Sequence, residues 1–250
     1  MSISAPPAAT TRPATDPMRQ TAFLGGLLYV ITFAASIPAA FYFLAPVLDN
    51  PDYVLGSGSD GRVITGGLLD VVTALAGAGA AVVLFPVVRR QNRTLALGFV
   101  TSRLLEAAII IVGVVSLLAI VTLRKDFAGA PGADTDSLST TAASLVAVRD
   151  FTFQLGPGFM ASVNALLLGS LMYRSGLVPR VIPLMGLIGV PLHLAAKITT
   201  VYGVNDDSTL WSGIALAPIF FWELSLGIYL VVRGFRPAAV AALPTAQAVR

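Results

Sequence analysis

Six long apolar runs constrain this chain more than any other feature. They cover residues 22–48, 63–88, 95–123, about 151–173, 178–202 and 211–232, and each exceeds the ~20 residues a helix needs to cross a hydrocarbon core about 30 Å thick. Inside lipid no water satisfies the backbone, so such segments close their hydrogen bonds internally, as helices do. The predicted fold class is all-α: a polytopic membrane bundle of six transmembrane helices. Composition agrees, because 56% of the 250 residues are hydrophobic and 12% charged, about half the charged fraction of ordinary soluble domains.

The runs are joined by charged or turn-rich segments: NPDYVLGSGSDGR, RRQNR, RKDFAGAPGADTDSLSTT, RSGLVPR and YGVNDDST. The first run is too long for the apolar core of a signal peptide, which predicts an uncleaved helix. The predicted organisation is a disordered cytoplasmic tail over 1–20, rich in Pro, Ala and Thr, a six-helix transmembrane domain over 21–234, and a second disordered cytoplasmic tail over 235–250.

Lys and Arg concentrate on the cytoplasmic side of membrane proteins. With the N-terminus inside, ten arginines fall on that side (12, 19, 89, 90, 93, 174, 180, 233, 236 and 250), against Arg62, Arg124, Lys125 and Arg149 outside. An N-in/C-in topology follows. Fourteen arginines to two lysines match the bias of a GC-rich bacterial genome, which points to the bacterial plasma membrane. The formal charge of +3 comes from single basic residues between apolar runs, so the bilayer is the expected partner and nucleic acid is not.

An ionisable group within a span costs at least ~2.5 kcal/mol to insert, which makes each one a candidate functional residue. Arg103, Glu106 and Glu223 fall near the middle of their spans and form the candidate buried polar site, with Arg103 and Glu106 neighbours at i, i+3. Asp70, Asp150, His193 and Lys197 fall nearer the outer boundary as a candidate outer cluster, with Arg149 at the rim. Such charges either fix helix register in a bundle or line a cavity that binds a cation, a proton or a polar group. Small residues on the first two spans, including Gly25, Gly26, Gly66 and Gly67, predict close helix crossings, and Gly156-Pro157-Gly158 predicts a break or kink in the fourth. There is no cysteine and one histidine, and the HExxH, GxSxG, Walker and dinucleotide motifs are missing, so no metal or cofactor is expected.

Four stretches resemble a known family: RQTAFLGGLLYVITFAASIPA in the first span, TLALGFVTSRLLEAAI in the third, LLLGSLMYRSGLVPRVIPLMGLIG joining the fourth and fifth, and FFWELSLGIYLVVRGF in the sixth. In order and content they are similar to the bacterial membrane family "domain of unknown function 4386", over about residues 19–236. The resemblance implies a six-helix plasma-membrane protein and supplies no substrate. Where the family pattern implies a histidine in mid-span four, this chain has Asn164.

Three functional readings follow. A small transporter or binder of a polar or lipid-like molecule uses the midplane charges for recognition. A non-catalytic scaffold or regulatory partner uses them only to knit the bundle. An intramembrane lipid-modifying enzyme uses Glu106 or Glu223 as general base, although no nucleophile or metal set accompanies them.

Overall fold

The computed structural model describes residues 16–50, 52–56 and 59–244. The predicted tail residues 1–15 and 245–250 lie outside the described set. Six helices are long and apolar enough to cross a membrane: α1 (Pro17–Phe43), α2 (Asp60–Val88), α3 (Arg93–Phe127), α4 (Thr135–Ser175), α5 (Val181–Val201) and α6 (Leu210–Val232). Among the described residues there is no strand. The chain is an all-α, multi-pass membrane bundle.

Four of the helices begin on a side chain that accepts an otherwise unpaired N–H. Asp16 accepts from Met18 at 3.0 Å, with Pro17 at the first helical position, where its missing N–H costs nothing. Asn92 accepts from Leu95 at 3.0 Å, Asp134 from Asp136 at 3.2 Å and Thr209 from Ser212 at 3.2 Å. At the other terminus of α4, Gly176 takes a left-handed conformation with φ of 64°, which glycine adopts without steric cost. The last carbonyls of α6 are satisfied by Arg19 of α1, which donates to Leu230 at 3.0 Å and Val231 at 2.7 Å.

Two boundaries differ from the sequence expectation. Helix α4 starts at Thr135, sixteen residues ahead of the predicted span, and the long loop shrinks to 128–134. Its added turns carry Ser, Thr and charge, which break the apolar run, yet Asp134 caps them and they pack along α3. Part of each predicted tail is also helical. Residues 17–20 are the first turn of α1, and Pro237–Ala241 forms a short helix after which Leu243 is buried against the core. Arg90 holds that segment by donating to the carbonyl of Pro244 at 2.9 Å.

Each helix packs on the next in chain order, and α1 packs on α6, closing a ring of six. Small residues permit the tightest crossings. A Cβ on Gly26 would stand 2.6 Å from the carbonyl oxygen of Gly227 across the α1–α6 contact, and one on Gly186 would stand 2.6 Å from the Trp222 ring across α5–α6. One end of the ring carries residues 89–93, 174–180 and 233–236 and is rich in arginine; the other carries the connections 49–59, 128–134 and 202–209. At the arginine-rich end a dry core with side chains from all six helices, among them Leu84, Phe99, Leu168, Ile182, Trp222 and Leu230, fills the centre. Toward the loop end the centre is hollow. There α4 widens into a π-helical segment, Gln154–Met160, around Pro157, which has no N–H for the regular α-helical bond.

Candidate functional site: a charged cavity inside the ring

The hollow is a cavity of about 350 Å³ lined by side chains from all six helices. Toward the arginine-rich end it is lined by Arg103 of α3, only 5% exposed. The guanidinium donates through Nη1 to Glu106 at 3.0 Å and through Nη2 to Tyr29 of α1 at 3.2 Å, and it forms a second ion pair with Glu223 of α6. Its carbon lies 5.2 Å from the centre of the Tyr29 ring, within cation–π range. The three midplane charges named from the sequence therefore meet, with one arginine bridging two carboxylates from two helices.

The carboxylate of Glu106 also accepts from Asn164 Nδ2 at 2.7 Å, and the oxygen of the same amide accepts from Ser102. A carboxylate only accepts, so the amide must turn its nitrogen toward Glu106. Asn164 thus supplies a neutral donor at the position where the family resemblance implies a histidine.

A second tier lies nearer the loop end. Arg149 of α4 is 7% exposed and donates to Asp70 of α2 at 3.2 Å. Lys197 of α5 donates to Asp207 in the α5–α6 connection at 2.7 Å, and Gln154 bonds the other oxygen of Asp207. The guanidinium of Arg149 and the ammonium of Lys197 share the Phe153 ring, at 5.1 and 5.8 Å from its centre. The aliphatic chain of Lys197 passes 3.2 Å from where a Cβ on Gly158 would be, so the bare backbone of the π segment makes room for it. Between the tiers His193 is 1% exposed; its Nδ1 lies 3.0 Å from Ser162 Oγ, and its Nε2 has no partner.

Of the predicted outer cluster, Asp70, His193 and Lys197 line this cavity and Asp150 does not; Asp150 is exposed and its neighbour Arg149 points inward. Successive residues on a helix lie about 100° apart, and the phase is set by the earlier start of α4. Tyr29, Ser102, Ser162, Asn164 and Asp207 were not among the predicted site residues. Hydroxyls and amides inside a span have many packing uses, and Asp207 reaches the site from a connection. Among the described residues no group of three or more His, Asp or Glu side chains stands close enough to share a metal ion.

Compared with models of known protein families, residues 24–234 match the one described as Domain of unknown function (DUF4386). The chain belongs to this family. The match begins within α1, takes in the other five helices whole, and includes every residue of both tiers of the cavity. No curated protein and no solved structure matches the chain. What a DUF4386 chain of this sequence does therefore has to be argued from the cavity itself.

Proposed function

We propose that this DUF4386 chain is a membrane-embedded binder or small transporter for a polar or lipid-like molecule, held in the cavity through its buried charges. The observation that carries the reading is His193 Nε2, a polar atom without a partner on a residue 1% exposed that lines the hollow. A buried polar group left unpaired costs about 1–3 kcal/mol, and a bound molecule removes that cost. The volume lies at the small end of the ligand-site range, about 300–1,000 Å³, and a few convergent polar groups in a mostly apolar wall are the usual composition of such sites. We place the bundle in the bacterial plasma membrane with the arginine-rich end in the cytoplasm, which the ten-to-four distribution of basic residues supports.

One observation favours the scaffold reading: Arg103, Arg149 and Lys197 each have a carboxylate partner, as a purely structural network requires. The chain has no native cysteine, so single replacements separate the two. Thr73→Cys and Ile110→Cys, both on the cavity wall and outside the ion pairs, are expected to react with a polar thiol reagent in vesicles. Leu168→Cys, in the dry core, is expected not to react. Protection of all three in folded protein supports the scaffold.

A further inference from the structure

The cavity is polarised along its axis. Its deep tier holds Arg103 against Glu106 and Glu223, a surplus of one negative charge. The shallower tier is balanced, with Asp70 against Arg149 and Lys197 against Asp207. The aspartate that answers Lys197 is Asp207, whose side chain is 38% exposed on the connection above. Glu223 meets Arg103 through one oxygen, Oε1. Buried nitrogens without partners stand at Arg103 Nε in the deep tier, at Arg149 Nε in the shallower one and at His193 Nε2 between them. Such walls complement a zwitterion whose cation lies deep and whose anion lies toward the loop end.

The rim of the cavity is apolar. Four residues line the hollow and are also exposed on the outside: Ile37 and Phe41 of α1, Phe153 of α4 and Leu216 of α6. Phe41 is 83% exposed. Helices α1 and α6 touch closely at Gly26 and Gly227 and again at Phe33 and Phe220, whose rings stand edge to face at 5.1 Å. Beyond that contact the π-helical end of α1, Ala39–Phe43, packs on α2, and Ile37 and Phe41 of α1 and Leu216 of α6 line the cavity there while remaining exposed. A mouth used only by water-borne solutes is ordinarily edged with polar groups; this one suits a hydrocarbon chain.

We infer that the ligand is an amine-bearing phospholipid. Its head group occupies the cavity, with the amine against Glu223 and Glu106 and the phosphate at Lys197, Arg149 and His193. Its acyl chain leaves between α1 and α6 into the bilayer. A cavity of about 350 Å³ holds a head group and not the chains, which the lateral opening accommodates. This inference rests on the binding function proposed above.

The test uses the full chain reconstituted in vesicles containing a phospholipid with a photoactivatable group in its acyl chain, headed either by ethanolamine or by phosphate alone. Irradiation and peptide mapping are expected to place ethanolamine-lipid adducts at Ile37, Phe41 and Leu216 about tenfold above the lipid-facing Leu68, Val115 and Ile228, a preference worth about 1.4 kcal/mol. The lipid lacking an amine is expected to lose most of that excess. Leu216→Trp narrows the opening without touching an ion pair, and is expected to abolish the adducts at Ile37 and Phe41 with an unchanged melting temperature. Even labelling around the bundle, or equal labelling by the two head groups, overturns the inference. If the adducts are missing while water-soluble phosphoethanolamine shields Thr73→Cys from a thiol reagent, the cavity takes the soluble zwitterion: the lipid is wrong and the binding function stands. If Thr73→Cys never reacts and no adducts form, both fall.

Discussion

Arg103 is held from its own helix and from two others, through Glu106, Tyr29 and Glu223, and the cost of disturbing it depends on which partner is removed. Arg103→Ala strands one buried and one part-buried carboxylate and is expected to lose about 3–5 kcal/mol. Glu223→Gln leaves the Glu106 pair intact and is expected to cost less. Chemical denaturation in detergent reads the difference, and a loss for Arg103→Ala below that of Glu223→Gln contradicts the network described. At the loop end, burial and the Asp60 carboxylate, which accepts from its hydroxyl at 2.8 Å, push the Tyr53 phenol up to about 12. A folded-state pKa raised above the unfolded value of about 10 gives stability that is whole below pH 10 and lost as pH rises through 12. Tyr53→Phe is expected to remove that alkaline loss, as followed by stability against pH. The buried charges were legible residue by residue because an ion in a span is costly wherever it stands. Their neutral partners were not, since Asn164 and Ser102 look like any small polar residue until Glu106 is seen beside them.

At the scale of the helices, the six spans were legible because lipid imposes one length and one hydrogen-bonding solution on every segment that crosses it. That rule is silent beyond the hydrocarbon. The polar first half of α4 lacks the apolar run that marks a span, and the phase that turns Arg149 inward and Asp150 outward is hidden with it. The small residues of α1 mark real crossings, and their effects are testable one by one. Gly26→Ala drives a methyl to 2.6 Å from a backbone oxygen that has no rotamer to yield, and a cost of about 1–3 kcal/mol is expected from such overpacking. Gly213→Ala, in the first turn of α6 with nothing within 4 Å of the new Cβ, is expected to change stability by less than about 0.5 kcal/mol. Melting of the two variants side by side checks the α1–α6 contact; equal stability denies it.

The whole molecule is a ring closed by its first and last helices, dry at the arginine-rich end and hollow toward the loops. No single span announces this. The hollow arises where α4 widens around Pro157 and where the end of α1 leans onto α2. Ala107→Cys, on the cavity wall one residue from Glu106 and outside every ion pair, samples it at depth. The direct measurement is the reaction of this cysteine with a charged, membrane-impermeant maleimide applied separately to each side of sealed vesicles. Reaction from the loop side alone is the predicted result. Protection from both sides in folded protein, or equal reaction from both, contradicts a charged binding cavity sealed at the arginine-rich end.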